Sequence, residues 1–166
     1  MVLKINYDDE TSFDVTSVDR VICIMGYTAS ATCLMSSLFD SHPNVLTTPD
    51  NHLGAFQNFW GKHGNLPLNL LLDAFLDKYI IIFDAKKTLE SKKGTVWTGE
   101  LYGYTTLGSN RDEYLHVDRS IFKQYMKEFI GDVFPVPRKL FFQSMHVAYS
   151  KALNQRVTEP TIIFGL

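Results

Sequence analysis

The sequence predicts an α/β protein built in three layers, with a mainly parallel sheet that carries helices on both faces. Two continuous apolar runs, at 20–25 and 161–166, are the main observation, because runs without alternation are typical of strands covered on both faces. Segments with helical spacing of apolar residues lie between the two runs, and this order of elements favours a parallel sheet. We therefore expect residues 20–25 to form a central strand, with Ile22 and Ile24 buried.

Five helices and one further short strand are expected between these runs. The helices span about 30–40, 51–63, 68–78, 119–130 and 138–154, and the strand lies at 45–46. Gly64 suits a C-cap, Pro67 a first helical turn and Asp118 an N-cap. The side chains that should form the apolar faces of the first, fourth and fifth helices are Leu34, Met35, Leu38, Ile121, Phe122, Tyr125, Met126, Phe129, Ile130, Phe141, Met145, Ala148 and Ala152.

Composition sets limits on the class of protein. The chain has 166 residues, of which 45% are hydrophobic and 20% charged, and this balance suits one globular domain. A net charge of −2 without a basic run gives no electrostatic footprint for nucleic acid or an anionic membrane. The apolar runs are too short to span a bilayer, and residues 1–10 do not resemble a signal peptide. We expect a cytoplasmic protein whose anion sites are local.

The ends of the chain and its two cysteines give further expectations. A buried strand at 161–166 predicts that residues 1–166 are the N-terminal portion of a longer protein, since termini normally lie at the surface. The alternative is a complete small domain whose last strand closes the sheet. Cys23 lies in the first predicted strand and Cys33 in the following helix, and we expect both thiols to be buried. Their spacing suggests neither a metal site nor a disulfide scaffold.

The turn at 26–32 is the segment with the clearest chemistry. It reads Gly-Tyr-Thr-Ala-Ser-Ala-Thr, and its small residues let the backbone approach an anion closely. The free N–H groups of the following helix would point at that anion, and the helix dipole favours negative charge. Ser30 and Thr32 add hydroxyl donors. The Lys of a Walker A motif is missing, so Mg-ATP chemistry is not expected.

This turn and the residues after it resemble the 5′-phosphosulfate-binding segment of the sulfotransferase superfamily, which has a P-loop-like fold. The family pattern is Gly-x-Pro-(Arg or Lys)-Ser-Gly-Thr-(Thr or Ser), then a helix ending in Leu-x-(Asp or Ser)-x-His-Pro-x-Val. The matching positions are Gly26, Ser30, Thr32, Leu34, Leu38, Asp40, His42, Pro43 and Val45. A weaker similarity, at 141–153, is to a helix that precedes a core strand in some bacterial-type members.

The resemblance implies a transferase that uses 3′-phosphoadenosine-5′-phosphosulfate as co-substrate. It would move a sulfuryl group to a hydroxyl or amine of a small-molecule or glycan acceptor, without a metal ion. The loop residues that would hold the 5′-phosphosulfate are Gly26, Thr28, Ala29, Ser30, Ala31, Thr32 and Cys33. The family's 3′-phosphate site follows a later core strand, and if 161–166 leads toward it, that site lies beyond residue 166.

Three positions of the loop depart from the family pattern. Thr28 stands in place of the proline, Ala31 in place of the second glycine, and Ala29 in place of the basic residue. That basic residue stabilises the oxygen bridging phosphate and sulfate. In other enzymes, removing one group that stabilises charge in the transition state lowers the rate on the order of 10²–10³-fold. Either another cation replaces it, with Lys86, Lys87 and Arg111 as candidates, or the chain is a non-catalytic nucleotide-binding or protein-interaction domain.

The resemblance also implies a general base that deprotonates the acceptor hydroxyl. A carboxylate follows the His-Pro-x-Val run in this branch of the family, and Asp50 occupies that neighbourhood. Asp50 could instead cap a helix starting near Asn51. His52 is the second candidate base, because its unperturbed pKa is near neutrality, although a first-turn surface histidine is the alternative.

The remaining polar and aromatic candidates have ordinary structural interpretations. His42 stands beside Pro43 at a helix end, a pair that is mainly structural in the resembling family. His116 and His146 are lone histidines near apolar residues and are not expected to be catalytic. Two roles are open for Phe56, Phe59 and Trp60, which could stack on adenine or pack in the core. Glu100 could bind an acceptor or lie exposed in a loop.

Overall fold

A computed structural model describes residues 15–25, 35, 38–39, 42–49, 53, 55–86, 105–155 and 160–165 of the chain. The strands in these ranges are β1 (Val21–Ile24), β2 (Val45–Leu46) and β3 (Thr161–Gly165). The helices are α1 (Phe56–His63), α2 (Leu68–Lys78), α3 (Arg119–Ile130) and α4 (Arg138–Ala152). Short 3₁₀ turns lie at Val15–Ser17 and Ile80–Ile82.

The three strands form one parallel sheet in the order β1-β3-β2. Val21 of β1 pairs with Ile162 of β3, and the register continues to Ile24 and Gly165. On the other side of β3, Val45 pairs with Thr161 and Leu46 with Ile162. The prediction of an α/β protein with parallel strands is therefore confirmed, and the short strand at 45–46 is confirmed with it.

The expectation that β1 is central and covered on both faces is wrong. β3 is the middle strand, with Ile162 fully buried, while β1 has β3 as its one neighbour among the described strands. Val21 is 43% exposed and Ile22 51% exposed, although Ile24 is half-buried. A continuous apolar run predicts a strand. The position of that strand in the sheet, central or at the edge, depends on neighbouring strands that are distant in sequence.

Three further burial predictions near β1 also fail. Cys23 is exposed, so the expectation of a buried thiol is wrong at this position. Met35 is 44% exposed and Leu38 66% exposed, where we expected both in the apolar face of a helix. Leu34 and Cys33 lie outside the described residues.

The boundaries of α2 and α3 match the sequence signals. α2 begins directly after Pro67 and ends at Lys78, as predicted. α3 follows Asp118, whose carboxylate oxygen accepts hydrogen bonds from the backbone N–H of Ser120 at 2.8 Å and of Ile121 at 3.1 Å. The hydrogen bond from the Ser120 hydroxyl, followed by these backbone donors, lowers the pKa of Asp118 below its usual range. Gly131 ends α3 with a φ of 60°.

Gly64 is the C-cap of α1, as expected, but glycine stands there for a reason that differs from the expected one. Its φ is −62°, so the backbone does not adopt the left-handed conformation that favours glycine. A Cβ at this position would instead lie 2.7 Å from the ring of Trp60. Glycine is required here because the indole packs against the backbone.

Two hydrophobic clusters make up the described core, and α4 lies between them. The larger, which we call the helical cluster, contains buried residues from all four helices and from the segments that flank them, and it centres on Phe75. The smaller, which we call the sheet cluster, consists of Val15, Val18, Leu46, Val147 and Ile162. Because α4 touches both, residues 141–150 are buried nearly all around, apart from half-buried Phe142. Within the described ranges no helix is both long and apolar enough to cross a membrane.

Candidate functional site

The predicted phosphosulfate loop begins at the carboxyl edge of the sheet, where β1 ends. β1 ends at Ile24, and Met25 leads from it to the turn at 26–32. β3 ends at Gly165, which is level with Ile24 in the parallel register. In parallel α/β sheets, ligands bind in the crevice outside the carboxyl ends of the strands. The loop with the phosphosulfate-like pattern thus starts at the edge that this architecture uses for binding.

The segment leading to the second group of predicted site residues leaves the sheet in the same direction. β2 is parallel to β3, and Thr47, Thr48 and Pro49 follow it toward Asp50. Thr48 is 8% exposed, so this connection packs against the protein as it leaves the strand. β3 separates β1 from β2, so the two strands lie about 10 Å apart across the sheet, or two strand spacings. Leu46, the last residue of β2, is level with Ile162, three residues before the end of β3. The predicted loop and the predicted base therefore follow strands that point to one edge.

The predicted site residues themselves lie outside the described residues. For the phosphosulfate loop these are Gly26, Thr28, Ala29, Ser30, Ala31, Thr32 and Cys33, and for the general base they are Asp50 and His52. Lys87 and Glu100 also fall in undescribed ranges. The structure therefore gives the strands on which the candidate site is built, and the loop chemistry stays a prediction.

The aromatic residues considered for adenine stacking belong to the core. Phe56 is 8% exposed and Phe59 is 3% exposed, and both are members of the helical cluster. The ring centroid of Phe56 lies 5.3 Å from that of Phe142 and 6.3 Å from that of Phe141, both of α4. Trp60 packs on Phe141 at 5.3 Å between ring centroids. Of the two roles left open by the sequence, core packing is the one that the structure supports.

The two described candidates for a replacement cation have local contacts of their own. The ammonium of Lys86 lies 5.4 Å from the ring centroid of Tyr114. Arg111 is exposed and has a φ of 56° in a turn closed by its N–H to the carbonyl of Gly108. Both positions belong to the region where His116 forms an antiparallel bridge with Asp84, ahead of α3.

The three histidines named from the sequence have distinct environments. His42 accepts a hydrogen bond at Nδ1 from the backbone N–H of Asn44, 3.2 Å away, and this contact supports a structural role in the turn before β2. The side chain of His116 is 59% exposed, and its Nδ1 lies 3.8 Å from Oδ2 of Asp84. His146 is fully buried, and burial lowers its pKa from 6.5 to about 4.

Sequence reasoning missed the buried polar side chains of α4. Gln143, Ser144, His146 and Ser150 are all buried, although the apolar spacing predicted one core face at Phe141, Met145, Ala148 and Ala152. The amide of Gln143 donates to the carbonyl of Val18, just ahead of β1, and thereby ties α4 to the approach of that strand. The available signal was the scarcity of charged residues between 140 and 150, which indicates a helix without a solvent-facing side.

No protein-family model, curated protein or solved structure matches this chain. A functional assignment therefore depends on the residues of the chain and on the direction in which its strands present them.

Proposed function

We propose that the protein is a sulfotransferase-like protein that binds 3′-phosphoadenosine-5′-phosphosulfate at the carboxyl edge of its sheet. The observation that carries this proposal is the parallel pairing of β1 with β3, in which Ile24 and Gly165 are level. The turn with Gly26, Ser30 and Thr32 follows β1 directly. The finer architecture belongs to the same proposal: three layers, helices on both faces and a P-loop-like turn.

Backbone amides and small side chains are the chemistry we assign to the loop. The 5′-phosphosulfate would be bound by N–H groups from Thr28 onward and by the hydroxyls of Ser30 and Thr32, at the start of a helix whose dipole favours an anion. In the reaction, the bond between sulfur and the phosphate oxygen breaks as a bond forms to the acceptor oxygen or nitrogen. Asp50, or His52, would accept the proton that the acceptor loses.

The segment after β2 supports this assignment of the base. β2 and β1 both run parallel to β3, so the connections that follow them both lead toward the carboxyl end of the sheet. A base must lie within hydrogen-bond reach of the acceptor hydroxyl when the sulfuryl donor is bound. Asp50 comes four residues after Leu46, the last residue of β2, and can therefore meet a ligand seated over the end of β3.

Titration calorimetry with 3′-phosphoadenosine-5′-phosphate, the nucleotide product of sulfuryl transfer, tests binding directly. We expect saturable binding that competes with the phosphosulfate donor, and weaker binding of adenosine 5′-monophosphate. Thermal shift gives an independent readout, because a ligand that binds the native state alone raises Tm. Absence of binding by both methods, at concentrations up to the millimolar range, would remove the basis of the proposal.

The substitution Ala29→Lys is the sharpest test of where the nucleotide binds. It restores the positive charge of the family pattern beside the proposed 5′-phosphate, and a well-placed charge-assisted hydrogen bond contributes roughly 1.5–3 kcal/mol. We expect affinity for 3′-phosphoadenosine-5′-phosphate to rise about tenfold or more at fixed ionic strength.

The matched control for this test is Ser109→Lys, which adds the same charge at an exposed position of the 105–118 segment. It should leave the affinity within about twofold, since it adds the charge without the hydrogen bond to the 5′-phosphate, and interactions of exposed charges are weakened by screening in 0.1 M salt. Equal gains in both variants would indicate general electrostatic attraction and would contradict a site at Ala29.

A second candidate function keeps nucleotide binding without catalysis, and Ala29 is the residue that favours it. The chain lacks the cation where negative charge builds in the transition state. Release of 3′-phosphoadenosine-5′-phosphate from the phosphosulfate donor, followed with a panel of hydroxyl and amine acceptors, separates the two functions. Turnover by the wild type supports the transferase, whereas binding without turnover supports the non-catalytic domain.

A further inference from the structure

His146 occupies the junction between the two parts of the core. Met145, the residue before it, belongs to the helical cluster, and Val147, the residue after it, belongs to the sheet cluster. The imidazole lies 4.5 Å from the ring of Phe142, measured between centroids. Phe142 packs against both clusters, with Phe56 of α1 at 5.3 Å and Phe164 of β3 at 5.2 Å.

The hydrogen bonding of His146 fixes its neutral form. Nδ1 lies 2.9 Å from the carbonyl oxygen of Phe142, and because that oxygen can only accept, Nδ1 carries the proton and donates it. Nε2 is buried and has no hydrogen-bond partner in the described structure. The side chain of His146 is 0% exposed. A second proton, on Nε2, would therefore place a positive charge in an apolar junction without a hydrogen-bond acceptor among the described residues.

The described residues of the elements packed on α4 do not supply a counter-charge to His146. Their residues in the two clusters around this junction are apolar, namely Val15, Leu46, Phe56, Phe129, Ile162 and Phe164. Asp19, Arg20, Lys62, Lys127 and Glu128 are exposed, His63 stacks on Phe59, Lys123 pairs with Asp73, Lys151 lies over Tyr125 and Phe129, and Arg119 is half-buried with a buried Nη2 that has no hydrogen-bond partner. None of these described residues forms an ion pair with His146. The influences on His146 itself are its burial and, in the opposite direction, the carbonyl of Phe142.

We propose that His146 is an acid-sensitive lock between the sheet and the helical layer, by which we mean the helices α1–α4 that share the helical cluster. While neutral it holds α4 against the sheet, and its protonation in mildly acidic solution releases the sheet before the helical layer opens. The sheet opens first because, among the described residues, five buried side chains form the sheet cluster and nineteen form the helical cluster. None of the residues assigned to the nucleotide takes part in this lock.

The direction of the pH effect follows from the two protonation states. His146 in the folded protein titrates near 4, and in an open state it titrates near 6.5. The open state therefore binds more protons between these values, so the closed state is fully stable above about pH 6.5 and loses stability as the pH falls toward 4. Each pH unit in this window raises the open population up to about tenfold.

Hydrogen exchange followed by mass spectrometry at pH 7.0 and pH 5.0, corrected for intrinsic exchange rates, tests the lock in the full chain. Peptides that cover 161–165 and 42–48 should lose protection by up to about thirtyfold, because pH 5 lies 1.5 units below the pKa of 6.5. A peptide that covers 68–78 should keep its protection. Simultaneous and equal loss in all three peptides would overturn the proposal.

Variants assign the effect to one side chain. His146→Gln and His146→Phe are neutral at every pH, and in both we expect protection of 161–165 to be the same at the two pH values. The control His116→Gln removes an exposed histidine and should keep the full response. A response that persists in both His146 variants contradicts the proposal.

A measurement on the wild type covers the case in which neither variant folds. The imidazole carbon signal of His146 is followed by NMR from pH 7.5 to 4.0, and we expect no titration near pH 6.5 in the native population. A titration near 6.5 with unchanged protection of 161–165 would overturn the lock, since the native state would then accept the proton.

Discussion

Single hydrogen bonds of buried side chains are the strongest residue-scale features of this protein. Tyr149 is 1% exposed, and its hydroxyl donates to the carbonyl of Ile82 at 2.6 Å. This contact joins α4 to the 3₁₀ turn that follows α2. The Gln143 amide plays a similar part at the approach to β1. Each bond provides a donor to the backbone carbonyl of a buried residue.

Tyr149→Phe should lower the free energy of unfolding by about 1–3 kcal/mol, because it leaves the buried Ile82 carbonyl without this donor while the ring still fills its space. Urea denaturation measures the change, and the m-value should stay constant. Tyr114→Phe is the matched control, since Tyr114 is 41% exposed, and its effect should stay within about 0.5 kcal/mol. Equal effects of the two substitutions would contradict a role for the buried hydroxyl.

At the scale of elements, helix boundaries in this chain follow local chemistry. Pro67 precedes α2, Asp118 caps α3, and Gly131 ends α3 with a positive φ. Two glycines illustrate how context decides the effect of one residue type. Gly61 lies inside α1, where an added Cβ would meet nothing within 4 Å, and Gly131 adopts a conformation that side chains rarely take.

Alanine should therefore have opposite effects at these two glycines. Gly61→Ala should raise the free energy of unfolding by about 0.5–1 kcal/mol, since alanine loses less backbone entropy in a helix. Gly131→Ala should lower it by about 1–2 kcal/mol, because a φ of 60° is strained for a residue with a Cβ. Thermal and urea unfolding of both variants provide the comparison. The same sign of change at both positions would contradict the assigned backbone conformations.

At the scale of the whole molecule, one aromatic side chain connects most of the helical layer. Phe75 of α2 is fully buried. Its ring centroid lies 5.6 Å from that of Phe59 of α1, 6.1 Å from that of Phe122 of α3 and 5.5 Å from that of Phe141 of α4. Edge and stacked ring pairs of this kind add to the burial of apolar area. The helical layer is thus a single unit, and the sheet is attached to it through α4.

Phe75→Ala should lower the free energy of unfolding by about 3–5 kcal/mol, because the cavity it leaves borders all four helices. Leu70→Ala is the control on the same helix, since Leu70 is 54% exposed, and it should change stability by less than about 0.5 kcal/mol. Circular dichroism during urea unfolding measures both variants. A small effect of Phe75→Ala would show that the aromatic cluster does not hold the layer together.

Much of the fold could be predicted because its signals are local. The bounds of α2 and α3 follow from Pro67, Asp118 and Gly131, and each of these residues acts on its own helix end. The pattern at 26–45 gave the hypothesis for the site in the same way, since a phosphate-binding turn is contiguous in sequence. The buried polar residues of α4 were missed because an apolar stripe predicts one buried face, and the second face depends on what packs against it.

The sequence by itself determined the bounds of α2 and α3 and the strands near 21–24, 45–46 and 161–165, and it placed a turn of small and hydroxyl-bearing residues directly after β1. Only the tertiary structure decided that β3 is the middle strand, that Ile22 is half exposed and that residues 141–150 of α4 are buried nearly all around. The physical reason is range. Caps, prolines and apolar periodicity act over a few residues, whereas the pairing of Val21 with Ile162 and the burial of His146 arise from segments that meet only when the whole chain folds.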